Sequence, residues 1–521
     1  MIFDVTPTET RVVCSPKELK LLDRWLRIEP GFEERELKNY VHSARMFDSR
    51  EGLFPTGLLE FVCRKCREEG VNYEIRWNNC RLLPSNPAVL KGIQPNGLEY
   101  RDYQREIIRE CLKRGRGIVR AATGAGKTAI MAGLIRAYNY PKTLIVVPSV
   151  NLVHQTVEEL NSWWGEEIAE PYDKRRLPAR VCVATDRSVL SGLIAARLRR
   201  PRRATNVQKA YGVDIEVRRY FQEIQLLLMD ECHHCSLSTP SRPSVYYSIA
   251  MCLPTFSRFG FSATPLKHGF NVQNWMVVAA FGPEMPIAAD ASSLIQRGYI
   301  ARPYFYFFHY KKPKKLYSAA DWRVVYREIV VCGEERNAAI VEAIETACKY
   351  DLKTLLLVEQ IEHVKQLHAR LQAIDLPVEV RVITGRLESE EQNVVVSWFR
   401  EPGGKVLLST RVLGEGTNIP DLDVVVFARA GKAHVTFFQS IGRGVRRLGR
   451  FKRNCLIIDF ADKWNRYLKR HYEMRRKHAM KEKEFRSFAD NVSLDEAIQY
   501  LLEEARKEEK DNDDGVLDNG S

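Results

Sequence analysis

The chain lacks any run of apolar residues long enough to cross a bilayer. Its most apolar patch, Pro303 to Tyr310, is short and rich in aromatics, whereas a spanning helix needs about 20 consecutive apolar residues. No basic segment followed by an apolar run opens the sequence at Met1-Ile2-Phe3-Asp4-Val5-Thr6, so no secretory signal is expected. A disulfide framework is missing too. Twelve cysteines scattered over 521 residues do not make a disulfide framework and suit thiols in a reducing compartment. Acid is in short supply: 66 Asp and Glu against 80 Lys and Arg leave +14, which favours a polyanionic partner. A soluble cytoplasmic protein with no membrane partner is the expectation.

The composition, 45% hydrophobic and 28% charged, is that of an ordinary globular protein. The length exceeds what one hydrophobic core serves, and three or four domains are expected. Residues 1–92 read as a small separate α+β unit. Ser15-Pro16-Lys17-Glu18 is a capping box, a second helix runs from Thr56 or Gly57 through Cys66, and Val71–Trp77 alternates like a strand. Cys63 and Cys66 have the spacing of half a zinc site, but only Cys80 lies nearby, so structural thiols are the better reading.

Ala121-Ala-Thr-Gly-Ala-Gly-Lys-Thr128 is the stretch around which the rest of the chain is organised. It fits the phosphate-binding loop G-x-x-x-x-G-K-[ST], with Ala121 where the first Gly is expected. Such a loop turns tightly between a strand and a helix so that backbone N–H groups face a polyphosphate. Gly124 and Gly126 supply the backbone freedom, Lys127 a charge for the outer phosphates, and Thr128 a hydroxyl for Mg²⁺. Gly117–Arg120 before it reads as a buried strand, and Ala129–Ile135 after it as a helix.

Continuous apolar runs at Thr143–Pro148, Val181–Thr185 and Ile224–Asp230 indicate a parallel sheet covered on both faces. A second set at Thr354–Val358, Val378–Ile383, Val406–Ser409, Val424–Ala428 and Cys455–Asp459 predicts another doubly wound unit without a phosphate loop. Asp230-Glu231-Cys232-His233 lies at a strand end, where Asp230 would hold Mg²⁺ and Glu231 would orient and deprotonate an attacking water. Cys232, His233, His234 and Cys235 are adjacent, and four consecutive residues leaving a buried strand cannot all converge on one zinc ion. Gln104 offers an amide for an adenine edge. Arg443 and Arg446, three apart on one helical face, could both serve a γ-phosphate as arginine fingers.

Basic residues crowd two further places. The insertion from Ser188 to Phe221 carries Arg197, Arg199, Arg200, Arg202 and Arg203, either a solvated face or an arm that tracks phosphates. Lys463–Arg486 is basic, helical and interleaved with Trp464, Tyr467 and Tyr472, while Glu503–Ser521 is acidic and expected to be disordered.

Taken together, Gln104, Ala121–Thr128, Asp230–His233, Ser262–Thr264, Gly414–Asn418 and Gln439–Arg446 resemble, in order and spacing, the motifs of superfamily 2 helicases. The Asp-Glu-Cys-His box and Phe-Ser-Ala-Thr-Pro resemble the branch that includes XPB and the phage recombination helicase UvsW. The resemblance implies two tandem RecA-like doubly wound parallel-sheet domains, with a small α+β N-terminal domain that binds nucleic acid and a helical C-terminal extension. The expected boundaries are 1–92, 97–300 for the ATP-binding domain, 301–322 as linker, 323–460 for the second domain and 461–521 for a basic helical extension with an acidic tail. It also implies Lys127, Asp230, Glu231, Gln439, Arg443 and Arg446 as catalytic, and Gln104, Thr123, Gly124, Ala125, Gly126, Lys127, Thr128 and Gly416 as ATP-binding, with Thr128 and Asp230 toward Mg²⁺. Pro148, Ser149, Gln155, Thr185, Arg411 and Thr417 resemble strand-contacting positions.

The activity so implied is ATP-dependent unwinding or translocation on branched or forked DNA, in recombination, repair or replication. The setting would be nucleoid-associated, or a host cytoplasm for a phage protein. A duplex translocase that does not separate strands, an RNA helicase, a metabolic phosphate-loop kinase and a non-catalytic scaffold are the alternatives. The basic insertion departs from the compact UvsW pattern.

Overall fold

The computed structural model describes residues 1–28, 44–122, 124–173, 179–196, 198, 214–239, 242–266, 272–314, 321–385, 387–410, 422–431, 450–451, 453–481 and 483–517. The chain forms two compact units. Met1–Ala122 and Gly126–Ala289 make the first, and residues from Asp290 onward belong to the second.

The first unit opens with a four-stranded sheet: β1 (Ile2–Val5), β2 (Glu9–Val13), β3 (Leu53–Pro55) and β4 (Glu74–Trp77), in the order β3-β2-β1-β4. Alternate side chains of β1 and β2 are buried, as expected for a sheet with one covered face. Helix α1 (Pro16–Trp25) starts at the expected capping box, where Ser15 Oγ accepts from the Glu18 amide and Glu18 accepts from the Ser15 amide at 2.8 Å. Helix α2 (Leu59–Glu68) turns Leu59, Val62, Cys63 and Cys66 inward.

The second sheet of this unit contains β5 (Arg116–Arg120), β6 (Thr143–Val147), β7 (Ala169–Pro171), β8 (Val181–Thr185), β9 (Leu226–Asp230) and β10 (Ser257–Ser262). Their order is β5-β10-β9-β6-β8-β7, with every pair parallel. Every residue of β6, β8 and β10 is buried, which is why β6 and β8 read as unbroken apolar runs. Helices α3 (Asp102–Arg114), α4 (Lys127–Ala137) and α5 (Val272–Phe281) belong to the same unit.

The N-terminal sheet does not close its own core. Phe3, Val5, Leu22, Phe54 and Val62 share a cluster with Val272, Trp275, Met276 and Ala279 of α5. Phe61 meets Trp275 edge-on at 4.8 Å between ring centroids, and Arg116 donates to the Pro7 carbonyl at 3.0 Å. Gly57 makes this docking possible, because a Cβ there would lie 2.0 Å from the Val278 carbonyl oxygen.

In the second unit, β11 (Arg302–Phe308), β12 (Thr354–Leu357), β13 (Val380–Ile383), β14 (Val406–Ser409), β15 (Val424–Phe427), β16 (Asn454–Phe460) and β17 (Arg486–Ser487) form one parallel sheet, ordered β13-β14-β12-β15-β16-β11-β17. The doubly wound α/β class expected twice over is therefore present twice. Two expectations change here. Residues 302–308, read as part of a linker, pair along their whole length with β16, because their aromatic side chains are core rather than connector. The acidic tail, read as disordered from Glu503, continues helix α8 (Leu494–Leu517) through Leu517; Glu, Lys and Ala favour helix, and charge alone does not melt it.

Two helices fasten onto this sheet. Helix α6 (Glu334–Lys349) contributes Arg336 and helix α7 (Arg466–Lys481) contributes Arg475, and both meet carboxylates at the end of β16. Arg475 bonds Asp459 at 2.8 and 3.0 Å and Asp462 at 3.4 Å, and Arg336 bonds Asp462 at 2.8 Å. Tyr310 donates to the same Asp462 oxygen at 2.8 Å. All four charged groups are buried, so each needs its partner to offset desolvation. The expected C-terminal extension thus begins with a helix built into the second unit's fold.

Candidate active site

Three strand ends of the first unit bring the site together. After β5 the chain turns through the phosphate loop into α4, with Gly124 at φ +83° and Gly126 at φ +72°, a left-handed backbone that only glycine adopts without strain. A Cβ on Gly126 would lie 2.6 Å from Gln104 Nε2. The glycine therefore lets the loop and the Gln104 amide approach each other. Gln104 Oε1 accepts from the Arg101 amide at 2.9 Å, which fixes the side chain at the start of α3.

Beside the loop, β9 delivers the acid pair. Lys127 Nζ lies 2.7 Å from Asp230 Oδ1 and 2.7 Å from Glu231 Oε1. Burial disfavours the Lys127 charge, but the two carboxylates outweigh it and hold its pKa above the usual lysine value. Asp230 moves upward as well: burial is the main cause, and the Lys127 ammonium opposes it only in part. Glu231 has φ +48° and ψ +49°, a conformation that costs a non-glycine residue about 1–3 kcal/mol and persists only where its surroundings fix it.

Those surroundings are specific. His233 Nδ1 lies 2.9 Å from Ser262 Oγ and 3.2 Å from Glu231 Oε2, and Ser262 Oγ donates to Glu231 Oε2 at 3.3 Å. Ser262 also accepts from the Thr264 amide at 3.2 Å. Gln273 of α5 donates to the His233 carbonyl at 2.7 Å. Cys232 and Cys235 point into the apolar core, where burial raises their thiols.

The structure thus brings Gln104, Gly126, Lys127, Asp230 and Glu231 into one cluster with His233 and Ser262. Thr128 is half-buried in the first turn of α4. Thr123, Arg411, Gly416, Thr417, Gln439, Arg443 and Arg446, together with most of the basic insertion, lie outside the described residues. Two residues that resemble strand-contacting positions have local structural work as well: Ser149 and Thr185 cap helices, accepting from the Leu152 and Ser188 amides. Sequence reasoning missed the bridging place of His233, which it named within the Asp230–His233 motif and set aside as a zinc ligand, and it missed Gln273 altogether. Gln273 follows the box by forty residues, and no spacing rule marks it.

The donor set suits a magnesium nucleotide. Two carboxylates already gather one cation at 2.7 Å, and hard oxygen ligands are what Mg²⁺ takes. Glycine-bearing backbone at a helix start suits phosphate.

Comparison with known proteins agrees with this chemistry. Residues 97–267 match the family model described as type III restriction enzyme, res subunit, and residues 335–448 match the helicase conserved C-terminal domain. A DNA 3'-5' translocase, XPB2, of Sulfurisphaera tokodaii is 23% identical over 397 residues, covering 70% of this chain and 82% of that protein. The ATP-dependent DNA helicase uvsW of Enterobacteria phage T4 is 22% identical over 362 residues, covering 67% of this chain and 65% of its own length. The helicase MrfA in its DNA-bound crystal structure shares the fold with a TM-score of 0.53 at 14% identity, covering 76% of this chain and 53% of that one. No described helix is long and apolar enough to cross a membrane. With two matched domains that together span more than half its length, and a lysine–acid cluster at the ends of a parallel sheet, the chain belongs to the superfamily 2 helicases.

Proposed function

We propose that the protein is an ATP-driven DNA helicase or translocase acting on forked or branched DNA, in recombination, repair or replication. The observation that carries the catalytic part is the Lys127 ammonium held at 2.7 Å by both Asp230 and Glu231. Lys127 would exchange these carboxylates for the outer phosphates of ATP, with the backbone of Gly124, Ala125 and Gly126 turned to the same anion. Asp230 and Thr128 would hold Mg²⁺, which supplies charge neutralisation to the phosphates. Relieved of Lys127, Glu231 remains oriented by Ser262 and His233 and can accept the proton of the attacking water.

Gln104 would read the adenine edge. Thr123, Gly416, Gln439, Arg443 and Arg446 complete the proposed nucleotide-binding and catalytic set, the two arginines answering the charge that develops on the γ-phosphate. Sequence order further suggests an N-terminal nucleic-acid-binding module over 1–92 ahead of the two motor domains. DNA is favoured over RNA because the DNA translocase XPB2 and the DNA helicase uvsW each align over two thirds or more of this chain.

The test is ATP turnover with single-stranded DNA, duplex, fork, four-way junction or RNA added at one salt concentration. Forked or branched DNA is expected to stimulate most, and a metabolic kinase would ignore every addition. Glu231→Gln should retain ATP binding and lose turnover by about 10²–10⁴-fold. Normal hydrolysis by that variant would remove Glu231 from its role.

A further inference from the structure

Helix α7 has a second face that its packing does not use. Leu468, His471, Tyr472, Arg475 and Ala479 are buried. At about 100° per residue, Arg466, Arg470 and Lys477 fall on the opposite side, within about 40° of one another. All three are exposed, as is Lys469 on the flank. The charge on the inner side is cancelled internally, since Arg475 is matched by Asp459 and Asp462. The outer charge is not. Among the described residues its one acidic neighbour in ion-pair range is Glu473, 3.9 Å from Lys469 with both side chains more than half exposed, a pair of little worth. Arg466 instead lies over the Tyr467 ring at 4.7 Å and donates to its hydroxyl, a polar edge rather than a counter-charge.

From this we infer that the outer face of α7 is a docking surface for the phosphate backbone of duplex DNA. The inference rests on the DNA-motor reading above and adds a contact surface outside the helicase motifs. Arg466 and Lys477 stand about 16 Å apart along the helix axis, which corresponds to roughly five phosphates of rise along one strand. A flexible tail would lose entropy on gripping such a row. This helix is already ordered by its buried ion network, so its backbone pays no further ordering cost and only the exposed side chains lose freedom on binding. The contact reads phosphate, not base, and carries no sequence preference.

The experiment compares the full chain with the R466Q/R470Q/K477Q variant, measuring binding of a labelled duplex over a range of salt concentrations. The DNA-free ATPase rate and the melting temperature serve as controls, and R466K/R470K serves as a charge-conserving partner. Wild-type binding is expected to fall steeply with salt, and the slope of log Kd against log salt should shrink by up to about 2.7 in the triple variant, three phosphates at about 0.9 each. The Lys variant should keep the wild-type slope, and DNA-free turnover should not change. An unchanged slope in the triple variant, with fork-stimulated ATPase intact, overturns the docking surface and leaves the motor standing. Absence of any wild-type DNA binding would instead sink the motor reading itself.

Discussion

Replacing Lys127 by Ala should do more than abolish ATP turnover; it should give the folded protein a new dependence on pH. The ammonium is the shared counter-charge of Asp230 and Glu231 at 2.7 Å. Removing one member of a buried ion pair costs about 3–5 kcal/mol. Each of the three side chains retains 11–15% exposure, so the lower end applies, about 3 kcal/mol at pH 8. The pair can relieve this cost by taking up a proton. Burial already pushes the Asp230 carboxyl up, and without Lys127 the main opposing influence is gone, leaving the hydrogen bond from the Glu231 backbone to oppose it. A carboxyl with a folded pKa above its unfolded value destabilises the fold at higher pH, and stability returns as pH falls through that folded pKa. The deficit of the variant relative to wild type should therefore shrink between pH 8 and pH 5.5, by up to about 1.4 kcal/mol per pH unit over the window where the proton binds. Denaturant unfolding at the two pH values measures it. Adding Asp230→Asn to Lys127→Ala should remove most of both the deficit and its pH dependence. An equal deficit at both pH values, unrelieved by Asp230→Asn, would refute the electrostatic account of the site.

Three further outcomes are expected. Gly57→Ala places a methyl 2.0 Å from the Val278 carbonyl oxygen and should destabilise the first unit by about 1–3 kcal/mol, read as a lower melting temperature with faster proteolysis near residue 57. His363 is held neutral by burial and, secondarily, by Arg336, with its pKa lowered to about 3. The unfolded chain alone binds that proton, so stability should be lost as pH falls below about 6.5, by up to about 1.4 kcal/mol per unit; His363→Gln should flatten the decline seen by denaturant titration. Gln273→Leu removes the donor to the His233 carbonyl and should cost about 1 kcal/mol in stability. If α5 holds the acid box in place, kcat should fall in that variant while the KM for ATP stays put, a split that loss of folded protein would not produce.

Most of the first unit's chemistry was legible because it sits in local patterns. A glycine loop followed by Lys127, and an acid pair closing an apolar strand, are written within a few residues of one another, and parallel-sheet burial makes β6, β8, β12 and β15 read as continuous apolar runs. What escaped reading depends on distant packing. Pro303–Phe308 carries no sign that its partner is Asn454–Phe460, and an aromatic-rich segment between two motif-bearing blocks reads as connector. Gln273 and Gly57 owe their importance to the place where α5 lies, which no periodicity reveals. His233 sits among Cys and His residues that cannot share one zinc ion, and the strand end does separate them, sending Cys232 into the core and His233 toward Ser262.

Helix α5 also sets a timetable. The strands of the N-terminal sheet are complete once residue 77 has been made, but the apolar cluster that holds Phe3, Phe54 and Val62 is completed only by Val272, Trp275, Met276 and Ala279. A ribosome adding about 5–20 residues per second needs roughly 10–40 s to deliver those residues. For that interval the nascent module holds Phe61, whose ring partner is Trp275, against water or against whatever chaperone meets it first. Synthesis rate, rather than the intrinsic speed of hairpin formation, then decides when this part of the molecule acquires its stability.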